Sequence, residues 1–294
     1  MKKLAERIRS VGLIGNADKR ACARVVAAAA RMVTAAGRAL VTDAPTHLLS
    51  PFPAQVCADA RAVADAVDLL LVFGGDGTML RIAREIAGSR TPMLGVNLGN
   101  LGFLTAVPSR QLASALKRIW QGQFSFESRA LIEAKARNGA KAIHCCALND
   151  IVISHGIESR LIELEVRVDR EPVTCYRGDG LIISSPTGST AYSLAAGGAI
   201  VFPTAEVFAV TPICPHTLSN RSLILDLNST ITVKVLTSKP AAMLSADGQI
   251  ISELPADAEL RLRRSRHTVR LMHLAGSSFF EALRQKLHWR GTNL

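Results

Sequence analysis

The stretch Phe73–Leu80, FGGDGTML, places three glycines and one carboxylate between two segments of opposite character. The residues just before it, LLLV at 69–72, are continuously apolar, as expected of a buried strand. The residues just after it, RIAREI at 81–86, have the spacing of a helix. The stretch is therefore predicted to be a strand-to-helix turn that carries a carboxylate, Asp76, among residues without side chains.

Strand and helix signals alternate on both sides of this turn. Short apolar runs predict strands at 10–15, 68–73 and 92–97. Helix-prone segments lie at 21–38, 61–67, 78–88 and 109–121. Strands that alternate with helices indicate a parallel sheet with helices on both faces. We therefore predict a doubly wound α/β domain over residues 1–124.

Beyond residue 124 the pattern changes to the period of two that is typical of antiparallel strands. Asn138-Gly139 is a strong hairpin signal, and LIELEVRVD at 161–169 alternates apolar and polar residues before a turn at 169–172. LRLRRSRHTVRLMH at 260–273 alternates like a pair of strands with one solvated face. We predict a β-rich domain over 125–278, with one helix after Gly188.

The last segment returns to helical spacing. FFEALRQKLHW at 279–289 predicts a terminal helix, which is either independent or packed back on the first domain as part of 279–294. The predicted fold class is thus α/β, with a doubly wound first domain, a β-rich second domain and the active site in the cleft between them.

The bulk composition narrows the range of partners. The formal net charge is +11, but the basic residues are dispersed and aromatic residues make up only 4% of the chain. This favours a phosphorylated small molecule over a nucleic acid. No apolar run is as long as a bilayer span, and the N-terminal residues lack the apolar core of a signal peptide. The sequence therefore predicts a cytoplasmic protein with no membrane partner.

The six cysteines give no sign of a metal centre. They show neither a C-x-x-C pair nor a Cys/His zinc spacing, so they are interpreted as free thiols in a reducing compartment. No dedicated metal site is predicted.

The chemistry of the turn centres on Asp76. Exposed N–H groups at a helix start form an anion cradle, and glycines let a ligand approach the backbone. The chain contains no Walker A motif and no G-x-G-x-x-G fingerprint. A carboxylate inside such a cradle repels phosphates unless it accepts a proton from an attacking hydroxyl or helps to hold magnesium. The alternative is a plain Asp-Gly turn.

Longer motifs decide between a functional role for Asp76 and a plain Asp-Gly turn. FGGDGTML resembles the signature of a kinase superfamily that includes NAD kinases, diacylglycerol-type lipid kinases and 6-phosphofructokinases. NLGNLGFLT at 97–105, LNDIVI at 148–153 and DGLIISSPTGSTAYSLAAGGAIVF at 179–202 are similar to NAD kinase segments, as are PICPHTLSNRSLIL at 212–225 and SADGQ at 245–249. On these motifs the chain is identified as a member of the bacterial-type NAD kinase family.

The resemblance implies transfer of the ATP γ-phosphate to the 2′-hydroxyl of the adenosine ribose of NAD, which gives NADP. Asp76 is then the general base, Gly75 and Gly77 keep space clear beside it, and Arg81 meets the ligand from the following helix. Mg²⁺, or another divalent cation, arrives on the ATP phosphates. Subunits of the family associate, so a homo-oligomer, dimer or tetramer, is expected.

The same resemblance assigns the nucleotide-binding residues of the second domain. Asn149 and Asp150 match a motif that grips ribose hydroxyls, although the family pattern has Glu at the second position. Asp179 is expected at the nicotinamide end, and Gln249 lies near the substrate in a DGQ turn. The remaining assignments are to the adenine and its ribose (Thr190, Ala191, Tyr192, Ser193 and Ala195) and to the diphosphate or a ribose (Arg160 and Arg177).

Two other functions are compatible with the turn alone. A lipid kinase shares GGDGT but should lack the 179–202 signature and show membrane-facing features. A non-catalytic nucleotide sensor could use the same scaffold, yet the base Asp76 and the Asn149–Asp150 pair are both present.

Overall fold

The chain forms two compact units in a computed structural model that describes residues 5–99, 102–138, 141–156, 161–216, 221–237 and 242–289. The first unit comprises Met1–Ser128 and Val269–Leu294, and the second comprises Arg129–Thr268. Two long strands, β7 (Phe124–Asn138) and β18 (Glu259–Leu274), each contribute residues to both units. The domain limits predicted at 124 and 278 rest on sequence pattern and stay predictions.

The first unit is built on a parallel sheet in the order β3-β2-β1-β4-β5. Its strands are β1 (Ser10–Gly15), β2 (Ala39–Asp43), β3 (Gln55–Cys57), β4 (Leu69–Gly74), β5 (Met93–Asn97) and the short β6 (Val107–Pro108). The chain leaves β1 toward β3 and then returns to place β4 on the opposite side of β1. The predicted doubly wound sheet is confirmed.

Helices cover both faces of this sheet. They are α1 (Arg20–Ala35), α2 (Ala44–Leu49), α3 (Ala60–Asp65), α4 (Asp76–Glu85) and α5 (Leu112–Trp120), with a 3-10 turn at Ser109–Gln111. The unit also contains the predicted terminal helix, α7 (Phe279–Lys286). Helix α1 buries Cys22, Val26 and Val33 at helical spacing against the sheet. Every residue of β4 is buried, which explains why its sequence is an uninterrupted apolar run.

The second unit consists mostly of antiparallel strands. A six-stranded sheet has the order β14-β13-β12-β9-β16-β17, and a second set of strands runs β11-β10-β15-β18, with β7 beside β18 and β8 beside β7. The strands are β8 (Lys141–Ala147), β9 (Asp150–His155), β10 (Ile162–Val168), β11 (Glu171–Gly178), β12 (Gly180–Ser184), β13 (Val207–Ile213), β14 (Leu223–Asp226), β15 (Ile231–Val235), β16 (Ala242–Ala246) and β17 (Gln249–Leu254).

Apolar residues from the two sets of strands form one core in this unit, which includes Leu164, Leu181, Phe208, Val233 and Leu244. Strands β7 and β8 pair with Asn138 opposite Lys141, as the predicted hairpin requires. Its Gly139 lies outside the described residues. Strands β10 and β11 are joined at Asp169 and Arg170, which both have positive φ, so the predicted turn is also confirmed.

One prediction of local structure was wrong. The segment 260–273 is one continuous strand, β18, and not a pair, because its residues pair with β15 at one end and with β5 at the other. The helix predicted after Gly188 is present as the short α6 (Tyr192–Ala195), which follows a 3-10 turn at Thr187–Thr190. Among the described residues, no helix combines the length and the apolarity that a membrane span requires.

Candidate active site

The GGDGT turn lies at the point where the strand order of the first unit reverses. Strand β4 ends at Gly74 and α4 begins at Asp76, so the predicted strand-to-helix turn is confirmed. The loop after β1 lies beside it: the Asn16 N–H donates to the Phe73 carbonyl at 2.9 Å, and Asn16 Nδ2 donates to Thr78 Oγ1 at 3.3 Å. In open α/β sheets, ligands bind at such switch points, outside the carboxyl ends of the strands.

The three glycines of the turn have different surroundings, and packing requires glycine at only one of the three positions. A Cβ on Gly74 would lie 2.3 Å from Thr78 Oγ1, so the packing of the chain itself excludes a side chain there. A Cβ on Gly75 or Gly77 would meet nothing within 4 Å, and neither residue has a positive φ. The fold therefore does not require glycine at 75 or 77. The open space beside Asp76 is consistent with the predicted clearance for a ligand.

The Asp76 carboxylate is held by the loop that follows β5. Its Oδ2 accepts from the Phe103 N–H at 2.8 Å. Its Oδ1 accepts from the N–H groups of Leu104 and Thr105 and from the Thr105 hydroxyl, each at 3.2 Å. The side chain is half-buried in the first turn of α4, where the helix dipole also favours a negative charge. Asp76 is therefore fixed in one orientation.

These hydrogen-bond donors to Asp76 were not predicted. NLGNLGFLT carried a resemblance, but no role was predicted for residues 102–105. Gly102 is the clearest signal in hindsight, because a Cβ there would lie 1.8 Å from Asp76 Oδ1. Its backbone must pass directly against the carboxylate.

Arg81 lies one turn further along α4. Its Nη1 is 2.8 Å from Glu85 Oε1, and both side chains are about two-fifths exposed. Exposed ion pairs of this kind contribute little, so a phosphate could displace Glu85 at small cost. The predicted ligand contact of Arg81 stays a prediction.

In the second unit, the Asn149–Asp150 pair stands at the start of β9 and faces a turn that carries a second carboxylate. Asp247 Oδ1 accepts from the N–H groups of Asn149 and Asp150 at 2.7 and 3.3 Å, and its Oδ2 accepts from the Leu148 N–H at 3.1 Å. The Asp247 N–H donates to the Asp150 carbonyl at 2.9 Å. These four bonds fix the backbone from which both predicted ribose contacts project.

Asp150 is 4% exposed. Burial, and to a lesser degree the neighbouring Asp247, raises the pKa of its carboxyl to about 7. Asp150 therefore exchanges a proton near neutral pH, whereas an ordinary aspartate is fully ionised there.

The turn that leads into the predicted adenine segment, residues 190–195, packs directly on this pair. A Cβ on Gly188 would lie 2.1 Å from the Asn149 carbonyl oxygen, and the Ser185 N–H donates to that oxygen at 2.8 Å. Two parts of the NAD kinase-like signature that are distant in sequence are thus in contact. Within this segment Thr190 and Ala191 are partly exposed and Ala195 is exposed.

Tyr192 and Ser193 point in different directions. Tyr192 is 47% exposed, as a residue that stacks on a base must be. The Ser193 side chain is fully buried, and its hydroxyl bonds Thr211 Oγ1 at 3.1 Å. Ser193 therefore has a structural bond in place, and any adenine contact it makes would involve its backbone.

Asp179 is held between two strands by its neighbours. A Cβ on Gly178 would lie 2.8 Å from the Ile213 carbonyl, and one on Gly180 would lie 2.4 Å from the Ile153 carbonyl. The Asp179 carboxylate accepts from the Cys214 thiol, which raises the pKa of that thiol, and His155 Nε2 lies 4.0 Å from Oδ1. Cys214 and His155 were not predicted to contact a site residue.

The other predicted contacts of the second unit are exposed or outside the described residues. Arg177 Nε lies 3.6 Å from Glu163 Oε1. Gln249 is exposed at the start of β17, directly after Asp247 and Gly248, whose positive φ angles form the turn. Arg160 lies outside the described residues.

One further cluster has the residue types of a metal site. Ligand atoms of Glu133, His144 and Cys146 lie within 4.8 Å of one another. Glu133 Oε1, however, already pairs with Lys135 Nζ and Arg263 Nη2, each at 3.0 Å. These two cations neutralise the carboxylate and repel a metal ion, so the cluster is better explained as an ion-pair network.

Comparison with known proteins agrees with this geometry. Residues 11–124 match the family model of the ATP-NAD kinase N-terminal domain, and residues 148–274 match that of the ATP-NAD kinase C-terminal domain. The chain is 39% identical to an NAD kinase of Thiobacillus denitrificans over 284 residues, which covers 95% of this chain and 97% of that protein. It is 45% identical to an NAD kinase of Symbiobacterium thermophilum over 75% of this chain and 78% of that protein.

Two solved structures share the fold. A yeast NADH kinase complexed with NADH superimposes with a TM-score of 0.87 at 23% identity, covering 98% of this chain and 89% of that one. An NAD kinase from Archaeoglobus fulgidus in complex with ATP gives a TM-score of 0.74 at 22% identity, covering 96% of this chain and 100% of that one. With a doubly wound first unit, a β-rich second unit and both family domains matched, this chain belongs to the NAD kinase family.

Proposed function

We propose that this chain is an NAD kinase that uses ATP to phosphorylate the 2′-hydroxyl of the adenosine ribose of NAD. The 2′-oxygen attacks the γ-phosphorus, the bond from that phosphorus to the β,γ-bridging oxygen breaks, and NADP and ADP leave. The single observation that carries the mechanism is the oriented Asp76 carboxylate beside two glycines that the fold does not require.

Asp76 is the general base in this proposal. A ribose hydroxyl is a weak nucleophile, and a carboxylate within hydrogen-bond reach can take its proton as the new P–O bond forms. Positioning contributes the most to phosphoryl transfer, because little covalent chemistry is asked of the protein. An orientation fixed by four donors meets that need.

The second unit binds the dinucleotide. Asn149 and Asp150 accept from the ribose hydroxyls, and Tyr192 stacks on the adenine. Thr190, Ala191, Ser193 and Ala195 complete the adenosine site. Asp179 contacts the nicotinamide end, with Arg160, Arg177 and Gln249 close to the substrate. In the first unit, Arg81 meets the phosphates.

Mg²⁺ carried on the ATP phosphates would supply positive charge against the negative charge that develops on them. We assign it no protein ligand. We further propose a cytoplasmic homo-oligomer, dimer or tetramer, without a nucleic-acid or membrane partner. Light scattering on the purified chain tests the association, and a monomeric mass at micromolar concentration would contradict it.

A turnover assay tests the function. NADP formation is followed with NAD and ATP, with and without Mg²⁺, for the wild type and for Asp76→Asn. We expect turnover that needs Mg²⁺ and falls on the order of 1000-fold in the variant. Wild-type protein that binds NAD but forms no NADP would be a nucleotide sensor. Phosphate transfer to diacylglycerol vesicles in place of NAD would indicate a lipid kinase.

A further inference from the structure

The hydroxyl of Thr105 is the centre of a small buried network in the first unit. Thr105 Oγ1 accepts from Asn97 Nδ2 at 2.8 Å and from the Gly102 N–H at 3.1 Å, and it lies 3.2 Å from Asp76 Oδ1. Amide N–H groups can only donate. The single proton of the Thr105 hydroxyl must therefore point to Asp76, and its direction is fixed by the two bonds that it accepts.

The network is rigid because two of its side chains, those of Thr105 and Asn97, are buried. Thr105 is 0% exposed and Asn97 is 3% exposed. The Asn97 side chain is oriented from its other end, where Oδ1 accepts from the Gly99 N–H at 2.6 Å. A Cβ on Gly95 would lie 2.9 Å from the Thr105 Cα, so β5 packs closely behind the hydroxyl.

The donors are distributed unevenly over the two oxygens of Asp76. Three of them bond Oδ1, two of which come from Thr105. Among the described residues, Oδ2 accepts a hydrogen bond from the Phe103 N–H alone. The oxygen that keeps room for an incoming proton is therefore Oδ2.

We propose that Thr105, oriented by Asn97, is a positioning residue that occupies Asp76 Oδ1 and thereby makes Oδ2 the atom that accepts the proton of the attacking hydroxyl. The inference rests on the proposed role of Asp76 as general base. It adds which oxygen reacts and what prevents the carboxylate from rotating.

The inference has two consequences for a variant that lacks the hydroxyl. Thr105→Val keeps the shape of the side chain but removes one donor from the carboxylate, so Asp76 is less well oriented and kcat falls. Donors to a carboxylate favour its charged form, so losing one makes protonation easier. The acidic limb of the pH profile of kcat should then move to higher pH.

The test compares Thr105→Val, Thr105→Ser and Thr42→Val. Thr42 is the matched control: its side chain is also 0% exposed, and its hydroxyl donates to the Leu13 carbonyl at 2.8 Å on another strand. For Thr105→Val we expect kcat to fall about tenfold, the KM for NAD to change less than about twofold, and the acidic limb to shift upward. Thr105→Ser, which keeps the donor, should restore the wild-type profile, and Thr42→Val should lower only the melting temperature.

If Thr105→Val does not fold, Asn97→Ala should shift the profile in the same direction by a smaller amount, since Asn97 acts through Thr105. An unshifted profile in Thr105→Val or Asn97→Ala, with a kcat no lower than that of Thr42→Val, overturns the inference. Asp76→Asn separates this failure from a failure of the proposed function. If Asp76→Asn keeps the full rate, the base is wrong; if it is inactive while Thr105→Val is normal, only the role of Thr105 is wrong.

Discussion

The two units each present one aspartate at the start of a structural element, and the two side chains have opposite surroundings. Asp76 of the first unit is half-buried and accepts four hydrogen bonds from the loop after β5. Asp150 of the second unit is almost fully buried, and the nearby backbone N–H groups, including its own, donate to Asp247 instead.

This difference separates two uses of the same functional group. Donors hold Asp76 in a fixed direction, as a base that must meet one hydroxyl requires. Burial, with a smaller contribution from Asp247, raises the pKa of Asp150 to about 7, and within the part of the chain that the structure describes no hydrogen-bond donor to its carboxyl offsets this; its charge therefore depends on pH and on what binds it. A ligand that donates hydrogen bonds to Asp150 would favour its ionised form. The comparison therefore predicts that disturbing geometry affects the first site most, and that changing pH affects the second.

The largest expected effect comes from Gly102→Ala. The new Cβ would lie 1.8 Å from Asp76 Oδ1, so the carboxylate must leave its donors. Misplacing a reacting group by more than 1 Å should lower kcat on the order of 1000-fold, measured as NADP formation. Gly99→Ala is the control on the same loop, because its Cβ meets nothing within 4 Å and its N–H is kept. Equal activity in the two variants would show that the observed orientation of Asp76 is not the reactive one.

The second-largest expected effect is the dependence of stability on pH that the buried carboxyl of Asp150 causes. The pKa of Asp150 is about 7 in the folded chain and about 3.9 in the unfolded chain. Between these values the folded state holds one more proton, so the free energy of unfolding falls as pH rises from about 4 to about 7. The loss is about 4 kcal/mol, from about three pKa units at about 1.4 kcal/mol each, and it is complete above the folded pKa.

Urea unfolding at pH 5 and pH 8 measures this contribution. Asp150→Asn should gain stability relative to the wild type at pH 8 and show a smaller difference at pH 5. Asp65→Asn serves as the control, since that side chain is 54% exposed and pairs with Arg61 on the surface. If Asp150→Asn and Asp65→Asn give the same slope, the carboxyl of Asp150 is not protonated in the folded state near neutral pH.

A smaller effect concerns the binding of NAD. An ionised Asp150 accepts from a ribose diol better than a protonated one, and a group with a pKa of about 7 is roughly ten times more ionised at pH 8 than at pH 6. The KM for NAD should therefore fall up to about tenfold over this range, and the KM of Asp150→Asn should be independent of pH. A KM that falls equally in both proteins would assign the titration to another group.

The sequence predicted the parts of the fold that repeat a simple pattern. The buried run at β4, the alternation at β10 and the turn at Asp169–Arg170 each follow from local chemistry. Of the short elements between β1 and β4, α3 was predicted as the helix at 61–67, but β2, α2 and β3 were not, because so few residues carry too little periodicity. Likewise β18 was divided in two, since alternation does not reveal that one strand changes its pairing partner along its length.

At the site, the sequence identified side chains but not the backbone that holds them. Asp76 and Asp150 were both predicted, yet their environments depend on residues 27 or more positions away, namely Phe103–Thr105 for one and Asp247 for the other. Backbone N–H groups are present at nearly every residue, so sequence alone gives no sign of which of them converge on a carboxylate. Gly102 and Gly188 are exceptions, because close packing excludes any other residue there.

The smallest expected effect, from Gly77→Ala, tests whether the open space beside Asp76 serves a ligand. Gly77 lies in the first turn of α4 without a positive φ, and an added Cβ meets nothing within 4 Å. Alanine should therefore raise the free energy of unfolding by about 0.5 kcal/mol, as helix propensity and the entropy of the unfolded chain predict. In the assay the same methyl group should raise the KM for NAD or ATP several-fold, because it occupies space that the substrates need.

Gly37→Ala is the control, with the opposite expected effect on stability. Gly37 has a φ of +69°, so alanine there should destabilise the fold and leave both KM values unchanged. A Gly77→Ala protein that is more stable and equally active would mean that the clearance beside Asp76 has no part in catalysis, and the substrate hydroxyl would then have to approach the carboxylate from its other side.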